Sequence, residues 1–265
     1  NYGQCVPLAG GLVLDASGLN RLLDLDRETG VFTAEPGLLL GDLEQQLQLR
    51  GREPRLLPST VRSASLGGFV AGGSGGIGSL RWGFLRDPGH LLGLELITLE
   101  PEPRRLQLDA TAAQPLNHAY GCNGIIASLT MASAAAVPWR QLVLEFATWE
   151  AALAAAQRLP ASALLLQELC LLEAPLAALM PWPQGCPPPP PAGGGHRLLL
   201  LAAPEALPVL QGWLPELGGV LVWQAPQGQS RGIPLRELCW NHTTLHARSR
   251  DPGFTYLQLM LPQPE

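Results

Sequence analysis

The sequence contains no lysine: all 17 basic residues are arginine. With alanine, leucine and proline so common, this reads as the codon bias of a GC-rich bacterial genome. Charge of either sign is scarce, at 15% of residues, and the net charge is −5. No basic run exceeds Arg104-Arg105, which argues against a nucleic-acid partner. The five cysteines (Cys5, Cys122, Cys170, Cys186, Cys239) are odd in number and lack C-x-x-C spacing. That argues against a disulfide framework or a structural zinc site, and points to a reducing, cytoplasmic setting. No apolar run is long enough to span a membrane, and no signal-peptide pattern is present. There is no H-E-x-x-H pattern and no G-x-S-x-G at a strand–helix junction, so neither a zincin nor a serine-esterase site is expected. The 265 residues are 46% apolar, enough for a sizeable core in one or two domains.

Glycine, by contrast, is concentrated. Residues 58–83 read P-S-T-V-R-S-A-S-L-G-G-F-V-A-G-G-S-G-G-I-G-S-L-R-W-G and hold eight of the 30 glycines. Glycine is poor material for regular structure because it loses the most backbone freedom on folding. So dense a cluster implies left-handed turns or a close approach of backbone to something else. Ser59, Thr60, Ser65, Ser74 and Ser79 add hydroxyls to the bare main chain, a combination suited to an anionic ligand. A flexible linker is the alternative, but Leu66, Phe69, Val70, Ile77, Leu80 and Trp82 would need burial. Gly73–Gly78 matches G-x-G-x-x-G, with Glu95 as a possible ribose acid. Gly83, Pro88 and Gly89 break the helix that a Rossmann unit requires next.

The pattern predicts a short buried strand at Gly11–Asp15 and a hairpin of Leu22–Asp26 and Val31–Glu35, with Gly30 in the left-handed region. A helix follows over Leu40–Arg50, stopped by Gly51. Strands are expected at Leu91–Leu99, Arg104–Leu108 and Gly124–Met131. From Trp139 the pattern becomes strand (Leu142–Phe146), helix (Trp149–Arg158, capped by Thr148), strand (Ala163–Cys170). A short helix near Glu173–Leu179 and an irregular proline-rich stretch from Trp182 to Gly195 come next. A second β-α-β unit then runs through Arg197–Ala203, Glu205–Leu214 and Gly219–Gln224. Two such units predict a ferredoxin-like α+β domain. A helix from Pro234 to Ala247 and a strand over Phe254–Leu261 complete the chain.

P-S-T, S-L-G-G-F-V-A-G-G-S-G-G and R-W-G resemble the flavin-binding core of the FAD-linked oxidases. This is the vanillyl-alcohol oxidase and glycolate-oxidase-subunit group, with a PCMH-type FAD-binding domain. Supporting blocks are Gly10–Asp15, Val31–Gly37, Leu92–Leu96 and Tyr120–Ile126, in the family's order. The resemblance implies a mixed or antiparallel α+β FAD-binding domain over residues 1–138 and a substrate or cap domain over 139–265. It implies FAD as cofactor, with Pro58, Ser59 and Thr60 near the ring and ribityl chain. Ser65, Leu66, Gly67 and Gly68, with Gly72, Gly73, Ser74, Gly75 and Gly76, would serve the phosphates. Gly124, Ile125 and Ile126 would contact the ribityl–adenine side. The family's upstream phosphate loop would precede Asn1 and further cap sequence would follow Glu265, so the chain is expected to be truncated at both ends.

Asn241, His242 and His246 are the candidate catalytic group, because two histidines four apart share one helical face. Two ligands do not make a metal site, so no metal is expected. His118 and Tyr120 precede Gly124 and are candidates to lie near the cofactor. Arg81 and Arg86 are candidate phosphate or carboxylate partners, and His90 reads as an ordinary loop residue. The expected activity is oxidation of a small 2-hydroxy acid or alcohol by hydride transfer to flavin, with the electron acceptor unassigned. The alternatives are a non-catalytic binding module that keeps the fold, and a flavin reductase of the UDP-N-acetylenolpyruvoylglucosamine type.

Overall fold

The computed structural model describes residues 7–73, 75–190, 194–257 and 259. They form two compact units, Asn1–Pro138 and Trp139–Glu265.

The first unit is built on an antiparallel sheet of order β1-β2-β6-β4-β5, with β3 pairing β6 off that path. Strands β1 (Leu22–Leu25) and β2 (Val31–Ala34) form the expected hairpin, with Gly30 at φ 76°. Helix α1 (Leu40–Gln48) buries Leu40, Leu43 and Leu47 on one face. Strand β3 (Arg52–Pro54) follows. The glycine-rich stretch then forms two short helices, α2 (Leu66–Gly72) and α3 (Ser79–Trp82). Strands β4 (Leu91–Ile97) and β5 (Arg105–Asp109) are antiparallel neighbours. After α4 (Ala110–Ala113), the long β6 (Ile125–Ala135) runs between β2 and β4. Phe32, Leu40, Leu43, Leu66, Phe69 and Met131 line one small cavity of about 20 Å³. The sheet, α1 and α2 therefore share one apolar core.

The second unit has strands β7 (Arg140–Phe146), β8 (Leu166–Leu172), β9 (His196–Ala202) and β10 (Gly219–Pro226). Their order is β10-β7-β9-β8, all antiparallel. With α5 (Trp149–Arg158) and α7 (Ala206–Leu217) as crossovers, this is the ferredoxin-like arrangement expected. Thr148 Oγ1 accepts from Ala151 N at 3.3 Å and caps α5 as predicted. Side chains alternate across this sheet. Leu142, Leu144, Leu198 and Leu200 pack with α5 and α7, while Val143, Leu172 and Leu199 face the other way. That second face is covered by Ala177 of α6 (Ala174–Ala177), by Met180, and by Leu235, Leu238, Cys239 and Ala247.

Four expectations need correction. Gly11–Asp15 is not a strand, and Leu12 is 84% exposed. Among the described residues no neighbouring strand pairs with it, and a lone strand leaves its backbone groups to water. The glycine-rich stretch is partly helical, because α2 carries Leu66, Phe69 and Val70 on a buried face. The helix expected over 234–247 is two pieces. A 3₁₀ turn at Leu235–Leu238 is separated from α8 (Asn241–Arg250) by Trp240, at φ 56° and ψ −136°. Finally, residues 254–257 and 259 are not in a strand, and the remainder of that expected strand lies outside the described residues.

Candidate cofactor site

Helix α2 is anchored at its start by its own sequence. Ser65 is extended (φ −88°, ψ 156°) and its hydroxyl accepts from Gly68 N at 3.2 Å, an N-cap. Leu66 N donates to Leu38 O at 2.9 Å and Gly67 N to Pro36 O at 2.8 Å. The first-turn N–H groups of α2 are thus already used within the chain. Donors held out to a diphosphate must come from elsewhere along the stretch.

The glycines divide into two kinds. A Cβ on Gly67 would lie 2.5 Å from Pro36 Cβ, and one on Gly76 would lie 2.3 Å from Leu57 O. Gly73, at φ 58°, would place a Cβ 2.1 Å from His118 Cβ. These three are glycine because the chain packs on itself there. Nothing lies within 4 Å of a Cβ on Gly72, at the end of α2, so that position faces open space. Ser59 is buried. Ser74 and the side chain of Asn241 lie outside the described residues.

The C-terminal end of α2 carries the 117–124 loop. His118 N donates to Val70 O at 3.0 Å and Tyr120 N to Ala71 O at 2.9 Å. Both residues have positive φ, 63° and 53°, and His118 Nε2 lies 3.2 Å from the Tyr120 hydroxyl. Such backbone strain in non-glycine residues tends to persist where a site is built. Asn117 donates to Leu85 O at 3.1 Å, while its buried Oδ1 has no partner among the described residues. Gly124, at φ 135°, lies so close to Ile97 O and Leu96 that a Cβ would come within 3.0 Å of both. It starts β6, where Ile125 and Ile126 pair with Ile97 and Leu96. The structure therefore brings α2, its open Gly72 and the 118–120 turn together. An open depression of about 440 Å³ lies beside Gly37, Leu39 and Asp42. Asp42 makes its floor unsuited to phosphate.

Residues 1–106 match the family model described as the FAD binding domain. The first unit is thus similar to an FAD binding domain over those residues. Its resemblance to the FAD-linked oxidases is carried by curated relatives as well. The chain is 33% identical over 95 residues to the glycolate oxidase subunit GlcD of Bacillus subtilis, covering 36% of this chain and 20% of that protein. It is 27% identical over 144 residues to a D-lactate dehydrogenase of Anaerostipes hadrus, covering 51% and 29%. The chain thus spans less than a third of the length of these two relatives. A solved alkyldihydroxyacetonephosphate synthase superposes with a TM-score of 0.64 over 78% of this chain and 43% of that one, at 18% identity. At that identity the likeness speaks for the fold.

Around the glycine stretch, Arg55, Arg81 and Arg86 are already engaged. Arg81 pairs with Glu53 at 3.8 Å, and both Arg55 and Arg81 stack on the Trp82 ring. Arg86 stacks on Phe84. His90 is not an ordinary loop residue: it is 3% exposed and lies 2.8 Å through Nε2 from Trp82 O. Burial pushes its pKa down, so it is held neutral. The only sequence signal was its place just before an apolar strand.

In the second unit, His242 and His246 do share a face of α8, with ring centroids 6.1 Å apart. His246 Nε2 lies 2.9 Å from Glu237 O. Among the described residues no cluster of three or more metal-ligating side chains occurs. Sequence reasoning missed Glu168 of β8, which is buried and accepts from Trp240 Nε1 at 3.2 Å. Burial pushes its carboxyl up to about 8. No motif marks it; only its i, i+2 relation to Cys170 on β8 would have placed both on one face.

Proposed function

We propose that the chain is part of an FAD-dependent oxidoreductase that oxidises a small 2-hydroxy acid or alcohol. The observation that carries this reading is the FAD binding domain match over residues 1–106, which contains α2 with Gly72 facing open space. The cofactor's diphosphate would lie along residues 72–76, with Ser59 and Thr60 toward the ring side. Gly124, Ile125 and Ile126 would hold the ribityl–adenine side through main-chain atoms. Bound FAD supplies the redox chemistry, accepting a hydride from the carbon that bears the hydroxyl. The hydroxy-acid substrate class is drawn from relatives named for glycolate, D-lactate and D-2-hydroxyglutarate. Residues 139–265 are assigned the substrate-binding role. His242 and His246 are its candidates for orienting a substrate carboxylate or accepting the hydroxyl proton.

The test is titration of the purified full-length protein with FAD, followed by quenching of flavin fluorescence. Saturable uptake by wild type and loss of it in Gly72→Ala support the reading. A folded full-length protein that takes up no FAD overturns it and leaves the non-catalytic module. Turnover with glycolate, D-lactate and D-2-hydroxyglutarate and a dye acceptor, compared between wild type, His242→Ala and His246→Ala, tests the substrate assignment.

A further inference from the structure

Strand β8 presents Glu168, Cys170 and Leu172 toward the face of the second sheet that the helices α5 and α7 do not cover. Leu172 belongs to the core cluster on that side and Cys170 packs against it, whereas Leu169 and Leu171 pack on the helix side. The 235–240 segment lies over this face. Leu235, Leu238 and Cys239 are buried in the same cluster, and Trp240 reaches Glu168. Two adjacent residues of one segment thus meet two same-face residues of one strand. Trp240 donates to Glu168, and Cys239 lies buried in the cluster against which Cys170 packs.

All four cysteines among the described residues are free. They are not equivalent. Cys122 is exposed, and Cys186 sits beside the Arg197 guanidinium at 3.5 Å. Cys239 is 1% exposed and its thiol donates to Leu235 O at 3.7 Å. Cys170 is half-buried and offers the pair its route to solvent. We propose that Cys170 and Cys239 form a redox-responsive thiol pair, closed to a disulfide by exchange with a small-molecule disulfide such as oxidised glutathione.

The exchange balances without a further reagent. Cys170, as the thiolate, attacks one sulfur of oxidised glutathione, forming a mixed disulfide and releasing one glutathione thiolate. Cys239 then loses its proton and attacks Cys170 Sγ. The protein disulfide forms, and the second glutathione thiolate leaves. The two cysteine protons pass, through solvent, to the two glutathione thiolates. Two protein thiols are oxidised and one glutathione disulfide is reduced. The Cys170 side chain and burial both hold the Cys239 thiol well above the ordinary thiol range, so the second step is the slow one. The product ties the 3₁₀ turn, Trp240 and the start of α8 covalently to β8. It is therefore a lock on the segment that carries His242 and His246.

The experiment is incubation of the full chain with oxidised glutathione, followed by alkylation of remaining thiols and peptide mapping by mass spectrometry. The expected result is a cross-linked peptide joining Cys170 to Cys239, a higher melting temperature, and reversal of both by dithiothreitol. Cys170→Ser should abolish the cross-link and leave Cys239 unreacted. A lasting glutathione adduct on Cys170 with Cys239 still open to alkylation after unfolding overturns the proposal. So does cross-linking of either cysteine to Cys186, or no reaction at Cys170 under conditions that fully modify the exposed Cys122. Mapping of wild type decides the matter even where Cys170→Ser fails to fold. None of these readouts depends on flavin.

Discussion

Trp240 and Glu168 are joined by an indole-to-carboxyl hydrogen bond of 3.2 Å across 72 positions of sequence. The bond explains why the helix expected from Pro234 onward is broken at Trp240. Its backbone is turned to φ 56° so that the ring reaches β8. Burial outweighs the hydrogen bonds to this carboxyl, which keeps its proton to about pH 8.

Glu168 therefore makes stability depend on pH. Its folded-state pKa is raised, so its contribution is fully present below the ordinary carboxylate value, near 4.5, and is lost as pH rises toward about 8. Glu168→Gln keeps an acceptor for Trp240 but cannot ionise. The stability of wild type relative to this variant should fall between those values, by at most ~1.4 kcal/mol per pH unit, and level off above. Denaturant midpoints at several pH values measure it. A difference flat across that window would rule the buried acid out.

The glycine substitutions should separate folding from cofactor binding. Gly67→Ala, Gly73→Ala and Gly76→Ala force a Cβ into Pro36, His118 and the Leu57 carbonyl respectively. Each should cost ~1–3 kcal/mol of stability. Gly72→Ala meets nothing in the chain and should be neutral, or stabilising by under ~1 kcal/mol, since alanine is the better helix former. It should still weaken FAD binding at least about tenfold, about 1.4 kcal/mol. Wild-type affinity in Gly72→Ala would remove the cofactor from that end of α2.

Ser65→Ala removes the cap on α2 and leaves Gly68 N without its acceptor. The expected loss is ~1 kcal/mol, read from urea unfolding. Ser65→Asp should restore most of it.

Arg197 is fully buried, and its guanidinium lies 2.8 Å from Glu145 and 4.4 Å above the Trp182 ring. Arg197→Met leaves Glu145 beside an apolar face without its partner and should cost about 3 kcal/mol. Arg197→Met with Glu145→Leu should cost less than the single change. Calorimetry of the three proteins checks the order; a double variant worse than the single one contradicts it.

Much of the second unit was legible because its signals are local. Thr148 precedes an alanine-rich face and caps α5. Leu142–Phe146 and Arg197–Ala203 are apolar runs of strand length, and strands Arg140–Phe146 and His196–Ala202 contain almost all of both. What was not legible depends on distant partners. Gly11–Asp15 has the composition of a strand but pairs with no neighbour among the described residues. The 66–72 stretch is helical despite three glycines, because Leu66, Phe69 and Val70 find a core that β2, β6 and α1 provide. His90 is buried because Trp82 O is there to meet it, eight positions back. Of the proposed cofactor stretch, the sequence shows the density of glycine but not which glycines serve the chain itself.

That division bears on how this lineage would age. Gly67, Gly73 and Gly76 answer to Pro36, His118 and Leu57, so purifying selection on folding alone would retain them. A descendant that had given up its flavin would keep most of its hallmark and still be recognised by it. Drift would show first at Gly72, where no neighbour objects to a methyl group.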